Sequence, residues 1–310
     1  MRFLLRFLHP LAALRAASLF LFVFGLAAAA QQSASGDRKV IENRAEYNAY
    51  MTAANTKDAA ARAASLEAFT KQYPHSVVFT DALEEEMAAW QEAGDMQKLQ
   101  QSAKQLLAAD SGNVRALAIV VALDRNSAAR GDKPSLDELC LYSTGGMREV
   151  PLWQKPYGMS DDDFTALQNQ MISIFDGAAG YCAWQQKNFA QAQDWLSRAF
   201  ALDKTDSQDA YQLAAVDFEM KPLDANGFWY CARAIHLAQA TDNDDAVNAM
   251  TASCKLRYVN YHGNLDGWDA VLGAGASENT WPPANFGANI KPAPAPPAPS
   301  KPAPAHSGAK

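Results

Sequence analysis

Residues Ser173–Asp206, SIFDGAAGYCAWQQKNFAQAQDWLSRAFALDKTD, decide how the chain is read. Apolar side chains return every three or four positions, the spacing of a helix face rather than the alternation of a strand. The pattern breaks at Lys187-Asn188 and again over Asp203–Asp206, leaving two segments of helical length. Outward from this stretch β-branched residues are sparse, while Ala, Gln, Leu and Asp are plentiful. Further breaks fall at Ala53–Asp58, Tyr73-Pro74, Gly94-Asp95, Asp110–Asn113, Lys221–Asn226 and Thr241–Asp245. The segments between them suit helices joined as antiparallel hairpins. The expected fold class is all-α.

The breaks are periodic. Gly94-Asp95-Met96 precedes Lys187-Asn188-Phe189 by 93 residues, and Asp110 precedes Asp203 by the same interval. The string Arg198-Ala199-Phe200-Ala201-Leu202 returns as Arg233-Ala234-Ile235-His236-Leu237, 35 residues on. Within Ser173–Asp206, small Ala179-Gly180 stands where two helices must approach, Phe189 sits at the hairpin, and Ala192, Leu196 and Ala199 mark the second helix. Thr80–Asn113 repeats the plan with Leu83, Met87, Trp90, Gly94-Asp95 and Leu106-Leu107. In these residues the chain resembles exported bacterial tetratricopeptide-repeat (TPR) proteins, whose period is about 34 residues. Weaker units start near Asn43, Val114 and Ser207, and Tyr73-Pro74 gives the first its closing proline. The chain departs from the family pattern at Asp176, Ala183 and Lys204, which replace an aromatic, a Tyr and a Pro. The resemblance implies a TPR-like right-handed superhelix of about five hairpins and an adaptor role in the cell envelope. One helix pair cannot cover its own apolar faces, so neighbours must cover them for each other. Asp242–Tyr261 and Asn264–Leu272 read as the closing helices.

Between the third and fourth units the register slips. An extra segment, about 126–162, holds Pro134, Gly145-Gly146, Pro151, Pro156 and Gly158, and reads as a lengthened loop or a lid. Ser135 is a candidate cap for a short helix over Leu136–Tyr142, and Ser160-x-x-Asp163 for the long helix that follows.

Both ends read as lying outside the fold. Arg2, Arg6 and Arg15 precede the apolar run Ala16–Ala27, and small residues follow at Ala28 and Ala30 before Gln31. That order is a secretory signal peptide over 1–30, with cleavage after Ala30. The uncharged apolar stretch from Ala16 to Ala30 falls short of the roughly 18–20 residues needed to span a bilayer, so no anchor is expected after cleavage. A linker follows over 31–41, then the repeat domain over 42–278. Residues 279–310 hold nine of the 15 prolines and read as a Pro/Ala-rich disordered tail, because proline fixes φ and donates no backbone hydrogen bond. The chain has 310 residues and net charge −7. Without the three signal-segment arginines, 24 basic side chains face 34 acidic ones, a balance of −10. An acidic body does not favour nucleic acid or an anionic membrane surface as partner, because both need a positive footprint.

The chain offers little catalytic chemistry. It has no His-Glu-x-x-His, no Gly-x-Ser-x-Gly and no phosphate-cradling Gly-rich loop. Asp161-Asp162-Asp163 suits a helix start better than a cation, and Asp203, Asp206 and Asp209 lack calcium-loop spacing. No cofactor or metal is expected. The four cysteines, Cys140, Cys182, Cys231 and Cys254, form no Cys-x-x-Cys pair. Export would permit disulfides, while Cys182 and Cys231 inside helices also read as small buried thiols.

In a solenoid of this kind the first helix of each pair lines the concave side. The stripe Ile174, Gly177, Tyr181, Trp184 is the candidate inner face of the best unit. Tyr211, Ala215 and Phe218 serve the next unit, and Tyr47 and Met51 the first. The same stripes would equally serve as core. The expectation is an exported, non-enzymatic scaffold that binds a protein or peptide through Tyr47, Met51, Tyr181, Trp184, Tyr211 and Phe218. The alternatives are an envelope assembly factor that binds cell-wall polymer or glycan, and an enzyme with its site in 126–162.

Overall fold

The computed structural model describes residues 39–294, apart from positions 130 and 157. The signal segment, with Ala28, Ala30 and Gln31, lies outside the described residues, as does the tail over 295–310. Among those described, every regular element is helical. Hairpin one is α1 (Arg44–Ala54) and α2 (Ala59–Gln72), and hairpin two is α3 (Phe79–Ala93) and α4 (Met96–Ala109). Hairpin three is α5 (Val114–Ala129) and α6 (Lys133–Glu149), and hairpin four is α7 (Asp161–Gln185) and α8 (Phe189–Leu202). Hairpin five is α9 (Ser207–Glu219) and α10 (Gly227–Gln239). α11 (Asp244–His262) and α12 (Trp268–Gly275) close the array, and α13 (Phe286–Asn289) is a single turn beyond it. Each second helix also packs on the next unit's first: α2 on α3, α4 on α5, α6 on α7, α8 on α9, α10 on α11. This is the TPR-like stacking the periodicity predicts.

The breaks fall where side chains cap helices. Asn43 accepts from Ala45 N and Glu46 N, Asp58 from Ala61 N, Asp95 from Lys98 N, and Asn188 from Gln191 N. Asp206 accepts from Gln208 N and Asp209 N, and Asn243 from Ala246 N. Such a cap contributes about 1 kcal/mol by satisfying donors that the helix leaves over. Gly94 ends α3 at φ 75°, a left-handed conformation that a side chain resists. At the tightest hairpin, α7 against α8, a Cβ on Gly180 would lie 2.6 Å from Leu196 Cγ, so only glycine fits. Leu196, Ala192 and Ala199 are fully buried there.

Residues 126–162 are neither loop nor lid. They hold the end of α5, all of α6 and the connector to α7. α6 is capped by Asp132, not Ser135, and runs well past Leu136–Tyr142. Its Gly145-Gly146 lies inside the helix, and a Cβ on Gly146 would meet the Phe175 ring of α7 at 2.2 Å. The register slips because a turn over Val150–Leu152 and a connector follow α6, and because α7 begins about three turns before Ser173. Ser160 does cap α7, accepting from Asp163 N at 3.1 Å.

All four cysteines are bridged. Cys140 pairs with Cys182 and Cys231 with Cys254, so Cys182 and Cys231 are not buried thiols. Each bridge joins the second helix of one unit to the first helix of the next, α6 to α7 and α10 to α11. Part of the segment expected to be tail is also held by the fold. Residues 280–294 pack back onto the array, with Ile290 buried and Phe286 half-buried against the C-terminal core.

Candidate functional site

The first helices form a wall whose members are tied to one another by polar side chains. Between hairpins one and two, Tyr50 Oη donates to Glu85 Oε1 at 2.8 Å. Asn113, at the start of α5, donates to Glu84 Oε1 on α3 at 2.6 Å. Tyr181 Oη on α7 donates to the carbonyl of Ala128 on α5 at 3.0 Å. Tyr211 Oη on α9 donates to Ser253 Oγ on α11 at 3.0 Å, and Arg257 of α11 pairs with Glu219 of α9 at 3.2 Å.

The centre of the wall is a buried cluster. Arg125 on α5 reaches past α7 to α9, where it pairs with Asp209 and donates to Gln212 Oε1 at 2.7 Å. Asp206 lies 3.8 Å away on its other side. The guanidinium passes over Gly177 of α7, whose missing side chain makes the crossing possible. A Cβ there would come within 2.7 Å of Asp209 Oδ1 and 2.9 Å of Arg125. Burial pushes the Asp209 carboxyl up to about 7, against the pull of Arg125. The flanking Asp206 and Asp209 hold the guanidinium firmly protonated despite its own burial.

A second polar element obeys the 93-residue interval. Gln100 on α4 donates to Asp124 Oδ1 on α5 at 2.6 Å. Gln193 on α8 donates to Asp217 Oδ1 on α9, also at 2.6 Å. Burial raises both carboxyls, Asp124 to about 6 and Asp217 to about 7. The second oxygens, Asp124 Oδ2 and Asp217 Oδ2, have no hydrogen-bond partner among the described residues. A proton on the carboxyl suits that environment, since burying an unpaired charge costs several kcal/mol. Asp176, the departure from the family's aromatic, is likewise buried and raised to about 6, opposed by Arg198 at 3.2 Å.

The six aromatic-stripe positions divide. Tyr47 and Met51 are exposed on α1, at 48% and 38%. Tyr181, Tyr211 and Phe218 are buried, at 3%, 8% and 8%. They are interior side chains of the array, not an open aromatic wall, because the units wind closely enough to cover them. α9 shows this best: Gln208 to Phe218 is buried throughout except for Ala215. Trp184 is half-buried, in edge contact with Tyr181 at 5.9 Å, and packs against both the middle and the C-terminal core clusters. Arg125, Asp209 and Gln212 went unremarked as a set in the sequence. The spacing of Asp206, Asp209 and Gln212 along one helix face is their trace, but the arginine belongs to a unit two hairpins earlier.

Asp124, Asp176, Asp209 and Asp217 each face a side chain of another helix, Gln100, Arg198, Arg125 and Gln193 respectively. Among the described residues no group of three or more His, Cys, Asp or Glu side chains is gathered to hold a metal, and no helix is long and apolar enough to cross a membrane.

Fold and wall together define an all-α array of TPR-like helical hairpins with a polar, cross-tied interior. No protein-family model matches the chain, and no curated protein sequence does. Among solved structures it is similar to the crystal structure of PilW, described as a widely conserved type IV pilus biogenesis factor. The identity is 16% and the TM-score 0.37, over 74% of this chain and 99% of that one. A likeness of that size says nothing of partners.

Proposed function

We propose that the chain is an exported scaffold that binds a protein or peptide partner and performs no chemistry of its own. The observation that supports this most is the array itself. Stacked hairpins tied by Arg125–Asp209 and by two inter-unit disulfides hold a long row of helices in fixed register, the form that presents extended binding surfaces. Export is supported by the signal-like order at residues 1–30 and by the use of every cysteine in a bridge, since disulfides persist in oxidising compartments. Of the six stripe positions, Tyr47, Met51 and half-buried Trp184 retain surface a partner would touch. The buried Tyr181, Tyr211 and Phe218 shape that surface from behind.

The test uses the chain from Gln31 onward as bait in an envelope extract, followed by titration of each captured protein in purified form. The expected result is one partner whose affinity falls when Tyr47 and Met51 are both changed to Ala. Failure of every captured protein to rebind in purified form would refute the scaffold reading.

A further inference from the structure

Residues 280–293 lie across a shelf built from the end of α8, the start of α10 and the end of α11. Their hold on it is that of a peptide on a receptor. Trp281 packs edge-on against Phe200 at 5.8 Å, and Lys204 donates to Thr280 Oγ1 at 3.3 Å. Phe286 packs on the C-terminal core and Ile290 is buried in it. The polar contacts between these anchors are made by the segment's main chain. Gly287 N donates to Asn226 Oδ1 at 3.1 Å, His262 Nδ1 meets the Lys291 carbonyl at 2.8 Å, and Ala293 N donates to the Tyr261 carbonyl at 2.6 Å. The body supplies these groups from helix ends: two side chains, Asn226 and His262, and the carbonyl of Tyr261, which the last turn of α11 leaves over. At one point the fit is set by size. A Cβ on Gly287 would lie 2.9 Å from Asn226 N and 3.2 Å from the Ala225 carbonyl carbon. Main-chain contacts of this kind supply affinity that does not depend on sequence, and the sites taken by Trp281, Phe286 and Ile290 supply selection.

We propose that this shelf is a peptide-docking site which the chain fills with its own C-terminal segment. Its occupant in trans is a partner's proline-containing peptide that makes a single helical turn through aromatic-Gly-x-x-aliphatic, matching Phe286-Gly287 and Ile290, and runs on without helix beyond it. This rests on the scaffold reading above and gives it a second, regulated surface, because the tethered segment competes at high effective concentration. A partner must displace it, or act when it has been released.

The test uses full-length chain and a fluorescently labelled synthetic peptide of residues 279–294. Gly287→Leu in the chain forces its own segment off the shelf. The labelled peptide then binds that variant at least about ten-fold more tightly than it binds the wild type, as read by anisotropy. A peptide carrying the same Gly287→Leu change binds neither. Trp281→Ala with Ile290→Ala, which removes anchors without adding bulk, repeats the measurement should the first variant lose helicity by circular dichroism. The proposal is overturned if a variant that keeps its helicity binds the peptide no better than wild type, or if the leucine peptide binds equally well. Cross-linking of wild-type segments between two copies of the chain overturns the assignment to a separate partner. None of these outcomes depends on the envelope-extract titration, so failure here leaves the scaffold reading standing.

Discussion

Replacing Asp217 by asparagine should flatten the pH dependence of stability at one defined place. The asparagine keeps the oxygen that accepts from Gln193 Nε2 at 2.6 Å and removes the proton that burial imposes. The carboxyl rises from 3.8 to about 7 in the folded chain, so folding takes up a proton between those values. A raised carboxyl stabilises the fold in full below its unfolded pKa, and that contribution is lost as pH climbs through the folded value. About three pKa units correspond to about 4 kcal/mol lost between pH 4 and pH 8. Urea unfolding followed by circular dichroism at pH 5 and pH 8 measures the difference. The wild type should lose stability on going to pH 8, and Asp217→Asn should lose less, by about 2.7 kcal/mol, the share of the linkage that lies between pH 5 and the folded value of about 7. Asp124→Asn, one repeat interval earlier, should act the same way with a smaller effect, because its carboxyl rises only to about 6. Equal pH slopes for wild type and Asp217→Asn would refute the claim that this side chain is buried uncharged.

Arg125→Met should cost about 3–5 kcal/mol, because it leaves Asp209 and Gln212 buried without their partner, and a thermal melt would show the loss. Gly180→Ala should cost about 1–3 kcal/mol by pushing α7 off Leu196, and an unchanged melting temperature would contradict the close approach. Reduction should remove about 4 kcal/mol for Cys140–Cys182, 42 residues apart, and about 3.5 kcal/mol for Cys231–Cys254, 23 apart. Denaturation with and without dithiothreitol, alongside Cys→Ser pairs, would apportion the two.

The sequence showed most clearly what is local. Helix ends were legible because Asn43, Asp58, Asp95, Asn188 and Asp206 stand where caps are needed, and a cap depends only on its nearest neighbours. The long repeat interval was legible for the same reason, since it repeats turns. The third unit was obscured because Gly145-Gly146 inside α6 looks like a break. Gly146 is there for the Phe175 ring, which arrives from another helix. The C-terminal segment was hidden by composition: four prolines among its residues 281–294 outweigh the three anchors Trp281, Phe286 and Ile290. The aromatic stripes stand out by their spacing, but a helical period does not tell which face a winding array will cover. Tyr181 and Tyr211 end inside, each with its hydroxyl spent on a neighbouring first helix. The Arg125 cluster depends on contacts between units far apart in the chain, and nothing in either local stretch points to the other.

The placement of the two sulfur bridges has a mechanical consequence. They clamp unit three to four and unit five to the closing helices, so under tension these pairs would travel as blocks. Between the blocks lies the α8–α9 junction, crossed by the Gln193–Asp217 contact and by the buried Arg125 pairing but by no disulfide, so there side-chain contacts alone hold the blocks in register.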